Sequence, residues 1–244
     1  MRNPFTHAAL ALSLAGAAVL AGCATVVPDY AALLANPARP ATDTVRDADR
    51  KPGEMMAFAG IKPGTLVAEL VPGGGYYTRL LSLAVGPSGH VYTYGLRANP
   101  AVAAWAMTNP NVTEGIAGAG TPIAPVPVDV VWTTLNYHDL KNSKVGDRDT
   151  AAVINDAAFR ALKPGGVYLI SDHQTAKGLG TTQTATLHRI EDVAVIREVE
   201  AAGFKLDGRS AILAHAGDDH TLKVVESGIR GKTDQFVLRF RKPR

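Results

Sequence analysis

Residues 64 to 94 read G-T-L-V-A-E-L-V-P-G-G-G-Y-Y-T-R-L-L-S-L-A-V-G-P-S-G-H-V-Y-T-Y, Gly64 to Tyr94. An apolar run, Thr65 to Val71, carries one carboxylate, Glu69. Pro72 and three glycines, Gly73, Gly74 and Gly75, interrupt it. An amphipathic segment, Tyr76 to Val85, and a second apolar run, His90 to Tyr94, follow. The spacing predicts strand, glycine turn, helix and strand, the opening half of a parallel sheet of the nucleotide-binding type. Glycines at such a turn let backbone N–H groups approach a ligand where a Cβ would clash.

Outward from this stretch, the chain keeps alternating. Asp43 to Gly60 has helical spacing at Met55, Met56 and Phe58, and Asn99 to Met107 is a short helix candidate. A third strand is expected near Ile123 to Val126. V-D-V-V-W-T-T, Val128 to Thr134, is a buried strand, with a loop from Leu135 to Leu140 beyond it. Asp149 to Leu162 is amphipathic and stops at Lys163-Pro164-Gly165-Gly166. Val167 to Ser171 is a further strand, and Leu187 to Ala202 a helix closed by Gly203. Phe204 to Leu213 and Gln235 to Phe240 are predicted as a terminal antiparallel pair. Strands alternating with helices imply an α/β domain with a mainly parallel sheet and right-handed crossovers.

The 244 residues are 46% hydrophobic, enough for one domain with a sizeable core. A net charge of +3 without blocks of like sign excludes a nucleic-acid footprint, and 6% aromatics excludes a base-stacking platform. At the N-terminus, Arg2 precedes a small apolar run, Ala8 to Ala21, too short to span a bilayer and suited to an export signal. It ends L-A-G-C, Leu20 to Cys23, which resembles the bacterial lipobox. That resemblance implies a signal peptide over 1–22 and lipidation at Cys23. A Pro-containing tether then runs over 23–45 and the domain over 46–244. Ala24, where an aspartate would resemble the inner-membrane retention signal, points to the periplasmic side of the outer membrane. Cys23 is the only cysteine, so disulfides and cysteine catalysis are excluded from the mature domain.

Five stretches together resemble the class I S-adenosylmethionine-dependent methyltransferases. They are E-L-V-P-G-G-G-Y-Y-T (Glu69 to Thr78), V-D-V-V-W-T-T-L-N-Y-H-D-L (Val128 to Leu140), A-L-K-P-G-G-V-Y-L-I-S-D-H (Ala161 to His173), A-G-F (Ala202 to Phe204) and F-V-L-R-F-R-K-P (Phe236 to Pro243). More narrowly, the chain is similar to a little-characterised bacterial group of predicted methyltransferases with S-D-H after the fifth strand and I-R-G-K-T-D-x-F before the last. The resemblance implies a Rossmann-like three-layer sandwich, a mainly parallel seven-stranded sheet with an antiparallel C-terminal strand. It also implies S-adenosylmethionine as cofactor, held by Glu69, Gly73, Gly74, Gly75, Tyr94 and Asn136, and a small-molecule or envelope-component acceptor. The chain departs from the family in three places. Val71 replaces the loop's first glycine, the second strand ends Thr93-Tyr94-Gly95 without the usual ribose acid, and Ala117-Gly118-Ala119-Gly120 replaces the usual adenine acid.

Seven histidines are present, and His138, His173, His215 and His220 follow the predicted carboxyl ends of strands, where parallel sheets form their ligand crevice. Methyl transfer is a displacement in which the protein supplies position, electrostatics and a base. His138, Asp139 and His173 are the candidates for that base, histidine titrating near neutral pH. Imidazoles and carboxylates also suit divalent metals, and H-A-G-D-D-H (His215 to His220) invites that use. No dedicated metal motif such as H-E-x-x-H is present, and no residue is assigned as a metal ligand. His215 and His220 are read as loop residues. The alternatives to a methyltransferase are a different, metal-assisted enzyme or a non-catalytic binding lipoprotein on the same scaffold.

Overall fold

The computed structural model describes residues 28–117, 122–226, 228–229 and 231–244. The expected signal segment, Cys23, Gly118 to Gly120 and Arg230 lie outside them. The chain begins with three short helices, α1 (Tyr30–Leu34), α2 (Ala41–Thr44) and α3 (Asp47–Arg50), followed by α4 (Pro52–Ala59). Then come β1 (Leu66–Leu70), α5 (Tyr76–Val85), β2 (His90–Gly95), α6 (Pro100–Ala106) and β3 (Val112–Ile116). The second half contains β4 (Val128–Thr134), α7 (Tyr137–Leu140), a small hairpin of β5 (Lys144–Val145) and β6 (Arg148–Asp149), α8 (Thr150–Ala161) and β7 (Leu162–His173). It closes with α9 (Asp192–Ala201), β8 (Lys205–Ser210) and β9 (Gln235–Arg241). No described helix is long and apolar enough to cross a membrane.

Among the described residues, seven strands form one sheet in the order β3-β2-β1-β4-β7-β9-β8. The pairs β2–β3, β1–β2, β1–β4 and β4–β7 are parallel, and β9 runs antiparallel to both neighbours. This is the expected α/β architecture. The antiparallel strand is inserted between β7 and β8 rather than placed at the edge. Strand order reverses between β1 and β4, so the crevice of this sheet opens at the carboxyl ends of those two strands.

Period-two alternation sorts the core into two layers. Ala68, Leu70, Val131, Tyr168, Ile170, Leu238 and Phe240 pack one face of the sheet with α8 and α9. Val67, Val91, Val130, Trp132, Leu169 and Val237 pack the other face with α4 and α5. Side chains of this size each contribute about 1.5–3 kcal/mol when fully removed from water.

Three elements differ from expectation. The third strand is Val112–Ile116, not Ile123 to Val126. Its V-T-E-G-I sequence lacks an apolar run because an edge strand is laddered on one side only. Ile123 and Ala124 are buried without strand pairing. The helix expected from Leu187 begins only at Asp192, because Arg189 and Glu191 are pulled into other bonds. The stretch expected as a tether over 23–45 is packed against the domain over its described part from Tyr30. From Tyr30, whose hydroxyl donates to Ile61 O at 2.7 Å, the chain is docked, and Arg39 and Asp43 are buried. This segment covers the outer face of α5, which explains why that amphipathic helix has almost no exposed side.

Candidate functional site

The glycine loop leaves β1 through Val71 at φ 48°, then Gly73 at 55° and Gly75 at 76°. Only glycine adopts this left-handed backbone without strain, so Val71 is a strained residue at the position of the missing glycine. Neighbours hold it there. Its N–H donates to Tyr94 O at 2.9 Å, and its carbonyl accepts from Asn136 Nδ2 at 3.2 Å. Asn136 Nδ2 also donates to Thr134 O at 2.6 Å, so one amide ties the loop to the end of β4. A Cβ added at Gly73 or Gly74 would meet nothing within 4 Å. The loop therefore faces open space, and an additional group fits against its backbone.

Glu69 does not point into that space. It is buried beneath α5 and accepts from Thr78 Oγ1 at 2.5 Å. Burial pushes its carboxyl up to about 8, against smaller opposing effects of Thr78 and Arg79. It braces the first turn of α5 from inside. Arg79 braces it from outside, donating to Gly74 O at 2.9 Å while paired with Asp43 at 2.6 Å.

At the end of β2, Gly95, Leu96 and Arg97 occupy the place of a ribose-binding acid. The nearest carboxylate, Glu114 on β3, accepts instead from the backbone N–H of Asn99. Asn99 caps α6 through Ala101 N and Val102 N at 3.1 and 3.3 Å, and its amide donates to Gly73 O. Alongside lies an apolar cavity of about 670 Å³, bounded by Leu70, Tyr94, Leu96, Ile123 and Leu140 among others. Its size and character suit a planar heteroaromatic group. Tyr94 belongs to its wall, as does Val71 at the foot of the loop.

Beyond Asn136, the turn through Leu135 (φ 58°) delivers α7 and with it His138 and Asp139. His138 is 3% exposed. Its backbone N–H and Nδ1 donate to the two oxygens of Asp172, at 2.8 and 2.7 Å. Burial alone would lower the His138 pKa, but the Asp172 charge and hydrogen bond, aided by Asp139, raise it. Burial would likewise raise fully buried Asp172, yet the His138 imidazole and backbone N–H keep it below the usual carboxylate range. The pair fixes the imidazole with Nε2 facing outward, where Asp139 Oδ1 and His188 Nδ1 each lie 3.3 Å away.

His188 sits on a strained turn at φ 55°. The turn is anchored by the neighbouring Arg189, fully buried and paired with Asp218 at 2.8 Å, and by Glu191, which accepts from Gly178 N and Gly180 N. His173, 6.0 Å from His138 between ring centroids, has Nδ1 2.8 Å from Thr233 Oγ1. Burial drives its pKa down to about 4, so it stays neutral.

Of the residues singled out in the sequence, Asn136 ties the glycine loop to the end of β4, and His138 and Asp139 follow it and meet His188, with His173 beside His138; Gly73 and Gly74 face open space, whereas Gly75 backs onto Arg79 and Val102. The H-A-G-D-D-H run serves the scaffold. Asp218 holds Arg189, and His220 Nε2 meets Asp234 at 3.0 Å. Asp129 lies at the opposite end of the sheet, accepting from Leu66 N and Lys163. Asp172 and His188 are the further candidate residues, assigned no role on the sequence alone, that the structure brings against His138. Asp172 was visible in S-D-H, whereas nothing in the sequence near His188 marks its convergence on residues fifty positions earlier.

No protein-family model matches the chain. Solved structures do share its fold. A putative sarcosine dimethylglycine methyltransferase from Galdieria sulphuraria is similar with a TM-score of 0.59 and 14% identity, over 80% of this chain and 84% of that one. A SAM-dependent methyltransferase from Aquifex aeolicus gives 0.56 and 18%, over 88% and 99%. The [4+2]-cyclase SpnF gives 0.55 and 16%, over 80% and 81%. At these identities the likeness establishes the Rossmann-like fold, and activity must be argued from the site.

Proposed function

We propose that this protein is an S-adenosylmethionine-dependent methyltransferase acting on a small-molecule or envelope-component acceptor. The observation that carries this reading is the left-handed loop of Val71, Gly73 and Gly75. It opens onto unfilled space at the strand-order reversal, beside an apolar cavity of about 670 Å³. When bound, the cofactor supplies a sulfonium methyl group for displacement by the acceptor. Gly73 and Gly74 offer backbone to its amino-acid end, and Tyr94, Leu96 and Leu140 offer an apolar wall to its base. Glu69 and Asn136 keep the loop in shape. His138, oriented by Asp172, presents Nε2 on the acceptor side, where loss of a proton makes the acceptor nucleophilic.

Titration calorimetry of the domain with S-adenosylmethionine and with S-adenosylhomocysteine tests this. Binding of both in the micromolar range is expected, and absence of binding by either at millimolar concentration would sink the proposal. One observation favours a second reading, a non-methyltransferase enzyme on the same scaffold. The end of β2 carries no acid for ribose hydroxyls, and among the fold's relatives is a protein named as a cyclase. Tight S-adenosylhomocysteine binding with no methyl transfer to any acceptor would favour that reading. The L-A-G-C signal supports export and anchoring at Cys23, on the periplasmic side of the outer membrane.

A further inference from the structure

We infer that His138 Nε2, His188 Nδ1 and Asp139 Oδ1 form a divalent transition-metal site of the zinc class, with one coordination position left open. The three atoms make a nearly equilateral triangle. His138 to His188, His138 to Asp139 and His188 to Asp139 are each 3.3 Å. A tetrahedral ion about 2.05 Å from each ligand requires ligand-to-ligand separations of about 3.3 Å. The triangle therefore has the dimensions of one face of a zinc tetrahedron.

The surroundings match. Asp172, buried and accepting from His138 Nδ1 at 2.7 Å, fixes the tautomer that turns the Nε2 lone pair outward. This is the carboxylate–histidine arrangement that supports metal-bound imidazoles. His188 reaches the triangle only through a left-handed turn at φ 55°. That conformation is unfavourable for a residue with a Cβ and persists only where the surroundings impose it. Here the buried Arg189–Asp218 pair does so. Strain held at one histidine of a converging cluster is a mark of a built site. The same three atoms can otherwise share a ring proton, His188 Nδ1–H donating to His138 Nε2 or Asp139 Oδ1, and a divalent cation would take that proton's place. Asp139 is 55% exposed on its side chain and His188 30%, so the remaining position faces solvent and the crevice. Three protein ligands and one open position are the pattern of catalytic rather than structural zinc.

The ion-binding claim stands apart from the methyltransferase reading. Only its role rests on that reading: the open position would take the acceptor's oxygen or sulfur, whose proton would pass to water, and that atom would bond the methyl carbon as the carbon–sulfonium bond breaks and S-adenosylhomocysteine leaves. With the ion bound, His138 is a ligand and no longer the base.

The test uses full-length protein freed of metal with a chelator, titrated with zinc against a chromogenic competitor. Variants His188→Ala, Asp139→Asn and Asp172→Asn, with His220→Ala outside the triangle as control, are titrated in parallel. His188 and Asp139 are partly exposed, and thermal unfolding of each metal-free variant checks its fold. One zinc per chain is expected in the wild type. Affinity should fall at least about 100-fold in His188→Ala and Asp139→Asn, and about 10- to 100-fold in Asp172→Asn. Cobalt substitution should give the intense visible absorption of a tetrahedral site. Zinc bound no more tightly by the wild type than by folded His188→Ala overturns the proposal, as does zinc lost only in His220→Ala. Zinc binding is read without S-adenosylmethionine, so its failure and the failure of cofactor binding are separate results.

Discussion

Val71 is a β-branched residue held at φ 48°, a conformation that crowds its Cβ against the backbone. Two hydrogen bonds and the turn into Pro72 impose it. Relief of strain worth about 1–3 kcal/mol should exceed the roughly 0.5–1 kcal/mol of backbone entropy that a glycine loses on folding. Val71→Gly is therefore expected to raise stability by about 1 kcal/mol in urea unfolding, and a loss of stability would show that the strain is not there. Gly73→Val, forced to φ 55°, should lose about 1–2 kcal/mol. Glu69 yields a pH dependence. Its folded pKa of about 8 lies above the ordinary 4.5, so the native state retains a proton that the unfolded chain has released across that interval. Its contribution to stability is whole below about pH 4.5 and is lost as pH rises toward about 8. Glu69→Gln stays neutral, so its stability relative to wild type should grow steadily between about pH 5 and about pH 8. Parallel pH curves for the two proteins would show that Glu69 titrates normally. The glycines were legible because a strand–turn–helix leaves a local signature. Asp172 and His138 were legible only as neighbours of strand ends, since a bond across 34 positions leaves no local pattern.

The same contrast holds for whole elements. α5 and β4 were readable to the residue because each is long and apolar on the correct face, α5 lying between Gly75 and Gly86 and β4 following Pro127. β3 was not, because an edge strand needs no apolar run. Residues 187–191 were not either, since their helical pattern lost to Arg189, whose guanidinium is satisfied only by leaving the helix for Asp218, Gln174 O and Leu222 O. The least expected element is the N-terminal segment over α5. Its grip is specific: Asp43 pairs with Arg79 at 2.6 Å, and Asp47 accepts from Tyr76 at 2.6 Å and from Arg39. Asp43 and Arg79 are 3% and 7% exposed. Removing one member of a buried pair leaves the other charge without a partner and costs about 3–5 kcal/mol. Asp43→Ala should lose about that much in denaturant unfolding, and with Arg79 released from its clamp, ligand affinity at the Gly74 loop should fall as well. Unchanged stability would mean the segment merely rests on the domain.

At the scale of the molecule, the docked segment bears on how an anchored domain would sit. The Tyr30 hydroxyl reaches Ile61 O, just before β1, so the first described residues are tied through that bond to the amino end of β1. The crevice lies at the carboxyl ends of the strands. With Cys23 lipidated, five residue steps to Pro28 span at most about 18 Å. The amino end of the sheet, with Lys62 and Lys163 beside Asp129, would then lie near the bilayer, and the mouth with His138 and Asp139 would face away from it. Such an orientation favours a soluble acceptor or one in the envelope over a membrane lipid. Because Cys23 is the only cysteine, and on the proposed anchoring its sulfur would carry the lipid, a cysteine introduced at exposed Lys62 or Lys144 would provide a single labelling site. In vesicles with quencher-bearing lipids, a fluorophore at Lys62→Cys should be strongly quenched and one at Lys144→Cys, on the hairpin beyond the mouth, only weakly. The reverse order would mean that the crevice faces the membrane and that lipid acceptors come first, and equal quenching would mean that neither end is held toward the bilayer. A Cys23→Ser protein should bind no vesicles at all, and if it does, the anchor lies elsewhere.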